Sequence, residues 1–151
     1  MSESHLSEAK RVTRPVVNEV ELIIPMLPDM EITATQTACS VAQYMKFDPD
    51  RIDEVKMALV EAIINAFEHS KSQDGKVRIK FVIADDSLTV VIQDHGKGFE
   101  INSIEKPDIT QKLKAEYKRG WGLMLIENLM DTVYIESSEH GTTLVMSKNR
   151  V

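Results

Sequence analysis

Glu61, Asn65 and His69 follow one another at four-residue intervals. On a helix each residue turns about 100° around the axis. The three therefore fall in one narrow stripe, with Glu54 and Glu68 beside it. A carboxylate and an amide one turn apart can share a site: the amide oxygen can serve a hard cation, and the carboxylate can orient or deprotonate a nucleophile. The setting is unusual. Val55, Met57, Ala58, Leu59, Val60, Ala62, Ile63, Ile64, Ala66 and Phe67 make almost every other position after Asp53 apolar, whereas a surface helix normally keeps a polar half. The pattern suits a mostly buried helix that shows a cleft one line of polar side chains. A solvated helix face is the plainer alternative.

Two further stretches could carry chemistry. In Asp94-His95-Gly96-Lys97-Gly98-Phe99, the alternation of Leu88, Val90 and Ile92 continues to Asp94, which places an acid on an inward row. A buried charge without a partner is costly, so Asp94 needs one, and the amino group of a ligand would serve. Gly96 and Gly98 let the backbone turn sharply or approach a ligand closely; a lone Asp-x-Gly-x-Gly also reads as an ordinary strand-ending turn. Further on, Gly120-Trp121-Gly122-Leu123 is expected to open a helix, where exposed N–H groups and the positive dipole end favour a phosphate. The dinucleotide-binding fingerprint is incomplete there, because no strand precedes Gly120 and no glycine stands three residues after Gly122. A plain turn into a helix is the alternative. Lys112, Lys114, Lys118 and Arg119 come just before it, near enough in sequence for one or two to reach a phosphate tail, while a solvated position for most of them is the plainer reading.

The elements that must hold these residues follow from periodicity. Residues 1–15 are polar, mixed in charge and aperiodic, which predicts a flexible tail ahead of a single domain over 16–151. A strand is expected from Val16 to Pro25. A helix follows from Asp29, its expected N-cap, to about Lys46, with Ala34, Ala38, Val41, Ala42 and Met45 on one face. Asp48-Pro49-Asp50 opens a second helix, which carries the polar stripe to about Ser70. Strict alternation marks a strand over 76–84, and Asp85-Asp86-Ser87 turns the chain so that 88–94 returns as its antiparallel partner. Residues 99–119 read as a long loop with a short helix near 111–117, a length that is usually functional or mobile. A helix over 123–130 and a hairpin of 132–137 with 142–147 complete the chain. Hairpin-connected strands with helices inserted between them predict an α+β, two-layer sandwich: a mixed, largely antiparallel sheet with helices on one face.

Composition narrows the class. The chain has 151 residues, 42% hydrophobic and 28% charged, enough for one domain with a sizeable core. A formal net charge of −6 and the absence of a dense Lys/Arg patch argue against nucleic-acid binding. Cys39 is the sole cysteine, so no disulfide can form within the chain, and its spacing from the histidines suggests no zinc site. No apolar run has the length of a membrane span, and residues 1–10 lack a hydrophobic signal region, so a cytoplasmic location is expected.

Taken together and in order, the motifs resemble those of the GHKL ATPases, whose members include gyrase and the histidine kinases. Glu61-Ala62-Ile63-Ile64-Asn65-Ala66-Phe67-Glu68-His69 resembles their asparagine box, and Asp94-His95-Gly96-Lys97-Gly98 their first glycine box. Gly120-Trp121-Gly122-Leu123 resembles the second glycine box, and Gly141-Thr142-Thr143 the glycine-threonine turn near the domain's end. The resemblance covers about residues 18–148 and implies the histidine kinase-like (Bergerat) fold. Within that superfamily the chain is most similar to the anti-sigma factor serine/threonine kinases of partner-switching pathways. The domain stands alone without a phosphoacceptor-histidine helix, Ile23-Ile24-Pro25 precedes two helices, and 122–131 is similar to their helix after the second glycine box.

That resemblance implies roles. Glu61 would be the general base for a serine or threonine hydroxyl, and Asn65 would hold magnesium against the phosphates of ATP. Asp94 would accept a hydrogen bond from the adenine amino group, with Gly96 and Gly98 passing close to the nucleotide and Thr142 supporting the adenine. Arg119, Gly120, Trp121, Gly122 and Leu123 would meet the phosphates, and 99–119 would form the ATP lid. The implied partners are a STAS-domain anti-sigma-factor antagonist as substrate, a sigma factor, and a second copy of the chain in a homodimer, with no nucleic acid and no membrane. An ATP-binding module that sequesters another partner, with kinase activity lost or secondary, is the alternative. Two departures stand out: Thr35 occupies a first-helix position where several relatives carry an arginine, and the lysine-rich lid lacks the threonine pair of some relatives.

Overall fold

Alternating apolar side chains build the sheet. Val77, Ile79 and Phe81 on one strand and Leu88, Val90 and Ile92 on the next point to the same side and are buried, while Arg78, Lys80 and Thr89 point to the other. A computed structural model describes residues 18–69, 74–95 and 114–151. Its elements are β1 (Asn18–Pro25), α1 (Met30–Tyr44), α2 (Pro49–His69), β2 (Lys76–Ile83), β3 (Ser87–Asp94), α3 (Lys114–Leu129), β4 (Thr132–Ser138) and β5 (Gly141–Asn149). The five strands lie in the order β1-β2-β3-β5-β4. All four pairings are antiparallel, so the sheet is not mixed among the described residues. The α+β class and the two-layer arrangement are as expected.

The core lies between this sheet and the helices. Phe81, Ile79, Val90 and Met146 from the strands meet Leu59, Ile63, Val55 and Ile126 from the helices, all fully buried. Each such side chain contributes about 1.5–3 kcal/mol by leaving water. Among the described residues no helix is long and apolar enough to cross a membrane.

The helix ends follow from local chemistry, with two departures from expectation. Asp48 caps α2 through its side chain, which accepts a hydrogen bond from the Arg51 N–H at 3.0 Å, and Pro49 fills the first helical position. Asp29 stands at the N-cap of α1, but its backbone is left-handed (φ 71°) and its side chain makes no capping bond. At the other end α1 stops at Tyr44. Lys46 adopts φ 64° and donates to the Gln43 carbonyl, while Phe47 donates to that of Ala42, both at 3.0 Å. These are the two bonds of a Schellman motif, made here with a lysine where glycine is usual.

The largest departure is α3. A break was expected at Gly120-Trp121-Gly122, with a helix opening after it; instead one helix runs from Lys114 to Leu129 through both glycines. Lys114, Ala115, Glu116, Lys118 and Arg119 are all strong helix formers, and that run outweighs the glycines. The residues of the expected tail (1–15), most of the expected lid, and the turn after α2 lie outside the described residues.

Candidate functional site

The polar stripe of α2 does not act as one unit. Asn65 is buried, Glu61 is half-buried and Glu68 is exposed. The His69 side chain lies outside the described residues. Glu54, two turns before Glu61, is engaged elsewhere: Lys148 Nζ sits 2.9 Å from its Oε1.

Glu61 and Asn65 converge on α3. A Cβ built on Gly122 would stand 2.7 Å from Glu61 Oε2 and 2.5 Å from the Asn65 amide nitrogen. Any side chain at position 122 would therefore displace both groups, and only glycine permits this approach. The place a Cβ would fill is bordered by a carboxylate oxygen and the nitrogen end of a carboxamide. Magnesium takes oxygen ligands and is usually held by one or two protein groups together with substrate phosphates, so Glu61 fits as it stands and Asn65 fits once its carboxamide turns its oxygen to the same place.

Beside this point, and farther into the molecule, a cavity of about 30 Å³ opens between helices and sheet. Ala62 and Ala66 of α2, with Ile92, Leu144 and Ile135 of the sheet, give it apolar walls, and Leu123 of α3 closes it. Its polar groups are Asp94, Thr142 and Asn65. A slot with apolar walls and a few convergent polar groups is the usual form of a small-molecule site. At this size it holds about two waters, so a purine base can enter only if the lining side chains give way.

Sheet register places the two polar groups at the strand ends. Asp94 closes the inward row of β3, pairs with Val77 on β2 and Thr142 on β5, and is only 4% exposed. The Thr142 hydroxyl lies 3.2 Å from that of Ser137 on β4. Gly141, just before it, has φ 145°, and a Cβ there would run into the Asp94 carbonyl oxygen. Its lack of a side chain is what lets the start of β5 close against the end of β3. The sequence placed Gly141 in a hairpin turn without giving it this part; its position opposite the strand-ending Asp94 was the available signal.

The expected site residues thus divide. Glu61, Asn65, Asp94, Gly122, Leu123 and Thr142 gather at one end of the molecule, where α2, α3 and the ends of β3 and β5 meet. Gly96 and Gly98 lie outside the described residues. Arg119, Gly120 and Trp121 lie within α3, and only their backbone is described. The apolar lining from Ala62, Ala66 and Ile92 was legible as core but not as cavity wall. Thr35 is buried, and its hydroxyl donates to the Ile32 carbonyl at 3.0 Å, so it offers nothing to a partner surface.

Comparison with known proteins agrees with this geometry. The family model for the histidine kinase-like ATPase domain matches residues 24–148. A serine-protein kinase RsbW of Oceanobacillus iheyensis is 33% identical over 138 residues, covering 85% of this chain and 85% of its own length. One from Bacillus cereus is 31% identical over 135 residues, covering 86% of this chain and 84% of its own. Among solved structures, that of the RsbU and RsbW domains of a Mycobacterium tuberculosis protein matches with a TM-score of 0.65 at 17% identity, over 87% of this chain and 31% of the other. The Pseudomonas aeruginosa SiaB–SiaC complex matches with a TM-score of 0.55 at 16% identity, over 99% of both chains. At such identities the two structures speak for the fold; the family rests on the domain match and the curated relatives. The chain belongs to the histidine kinase-like ATPase domain family and, within it, to the serine-protein kinases of the RsbW type.

Proposed function

We propose that this chain is an ATP- and magnesium-dependent serine/threonine kinase that phosphorylates a STAS-type antagonist, and that it acts as an anti-sigma factor by switching between that antagonist and a sigma factor. The observation that carries this reading is the convergence of Glu61 and Asn65 on one point beside a cavity lined by Asp94 and Thr142. Phosphoryl transfer asks mainly for positioning and charge stabilisation.

In this reading Asp94 accepts a hydrogen bond from the adenine amino group, and Thr142 supports the base from the neighbouring strand. Gly96 and Gly98 pass close to the nucleotide. Asn65 holds magnesium, which when bound neutralises charge on the phosphate oxygens. Glu61, half-exposed at the rim, takes the proton from the substrate hydroxyl as its oxygen attacks the γ-phosphorus. The bond from phosphorus to the bridging oxygen breaks, ADP leaves, and Glu61 returns its proton to solvent. Residues Arg119 to Leu123 meet the phosphates, and their N–H groups can do so only when the helical turns before Gly122 open. Each internal glycine weakens a helix by about 1 kcal/mol relative to alanine, so Gly120 and Gly122 mark where α3 opens most readily.

The protein works in the cytoplasm and as a homodimer in this reading. The relatives at 33% and 31% identity bear the name serine-protein kinase, which supports the substrate class. Incubation with γ-labelled ATP, magnesium and a STAS protein from the same genome tests it. The label is expected on a serine or threonine of the STAS protein; ATP binding without transfer to any STAS protein would favour an interaction module instead.

A further inference from the structure

Lys148 is a charged residue on the inward row of β5, following Thr142, Leu144 and Met146, and it is 6% exposed. Its ammonium is held at two points. Glu54 Oε1 of α2 lies 2.9 Å away, and the Leu129 carbonyl at the end of α3 accepts a hydrogen bond at 2.5 Å. The neighbouring residues stitch the same exit of α3 to the sheet: Asp131 donates its N–H to the Ser147 carbonyl at 2.9 Å, and its carboxylate accepts from the Asn149 N–H at 2.6 Å. Asn149 also reaches α2, since the Arg51 guanidinium donates to its carbonyl at 3.1 Å, but Lys148 joins α2 and α3 through a single group.

The spacing gives this tie its consequence. Glu54 and Glu61 are seven residues apart on α2, and Leu129 and Gly122 are seven apart on α3. Seven residues are nearly two turns, about 10 Å along the axis, and return to almost the same side of a helix. The two helices therefore meet at two places on facing sides, running in opposite directions: Leu129 against Glu54 through Lys148, and Gly122 against Glu61 and Asn65. Gly122 has no side chain with which to hold its place, so the crossing of α3 over α2 rests on the packing of Ile126 in the core and on the tie at the far end.

We propose that Lys148 is a positioning residue for phosphoryl transfer: by clamping the C-terminal end of α3 to Glu54, it fixes where Gly122 bears on Glu61 and Asn65. The proposal rests on the kinase reading above. It differs from a purely structural part for Lys148 in that the chemistry, rather than only the stability, depends on the clamp. Displacements of about 1 Å at a reacting group can cost on the order of a hundredfold in rate.

The test uses the full chain carrying Lys148→Met, Lys148→Arg or Glu54→Gln, with kcat, KM for ATP and thermal midpoint measured on each. Lys148→Met is expected to lower kcat about tenfold or more, with KM for ATP within about threefold of the parent, since the adenine slot lies at the far side of Asn65. Lys148→Arg, which keeps the charge, is expected to restore most of that loss. Glu54→Gln replaces a partly exposed partner with a side chain of the same size and is expected to lower kcat about threefold. A lower midpoint with unchanged kcat per folded molecule in Lys148→Met would overturn the proposal. Were the parent chain to transfer no phosphate, the kinase reading would fall, and hydrogen exchange would still judge the clamp. Amides of residues 122–129 should then exchange at least about tenfold faster in Lys148→Met while those of β2 and β3 hold their rates, and equal rates at 122–129 would overturn it.

Discussion

At Asp94 and Gly141 two strands close around a buried carboxylate, and each residue supports a separate expectation. Asp94→Asn keeps the size of the side chain but replaces a charged acceptor. If the carboxylate receives the adenine amino group, ATP affinity should fall about 10- to 100-fold, the worth of one hydrogen bond to a charged group. Isothermal titration measures it, and unchanged affinity would remove Asp94 from the adenine site. Gly141→Ala tests the geometry instead of the chemistry. The added methyl group meets the Asp94 carbonyl oxygen, which is backbone and cannot swing away, at a φ that side chains rarely adopt. A stability loss of about 3 kcal/mol is expected in denaturant melts; a loss under about 0.5 kcal/mol would mean that β3 and β5 do not close as described. The sequence made Asp94 legible because strand parity carried it inward. The same parity places Lys148 inward, yet no glycine or motif drew the eye to it. Gly141 was harder to read, since its demand comes from a strand 47 residues away and not from its own neighbours.

Element by element, legibility followed the strength of periodicity. β2 and β3 were plain because apolar residues recur at every second position and one face is buried, even though Val82 and Val91 interrupt the polar row. α2 was plain too: its cap, its proline and its length all agree. α3 was misread because two opposing local signals meet within nine residues, a run of strong helix formers and a Gly-Trp-Gly that breaks helices. Gly122 has a tertiary reason to be there, namely the close approach of Glu61 and Asn65, and tertiary demands cannot be seen from propensity. This bears on binding. If the turns before Gly122 must open to meet the phosphates, Gly120→Ala should make α3 more helical and weaken ATP binding about fivefold, the equivalent of about 1 kcal/mol. Circular dichroism with and without ATP, together with titration, checks both parts. An affinity that is unchanged or tighter would show that the helix need not open at that residue.

On the scale of the whole molecule, the described residues form a five-stranded antiparallel sheet under three helices, with the candidate site at one end. The two-layer class was legible, because amphipathic helices and half-buried strands have few other ways to cover each other. The strand order was not, since it depends on β5 entering between β3 and β4, a choice no local pattern reveals. That choice matters: it sets Thr142 beside Asp94 and Lys148 beneath the end of α3. The family match over residues 24–148 and the curated relatives place this arrangement among protein kinases that use ATP. The central claim is that Glu61 takes the substrate proton while other residues bind the nucleotide, and Glu61→Gln separates the two. With γ-labelled ATP and the cognate STAS protein, the rate of phosphoryl transfer should fall by about 10²–10⁴, the usual worth of a general base, while ATP affinity measured on the same sample stays within about twofold. Transfer at the parent rate by Glu61→Gln would contradict the account.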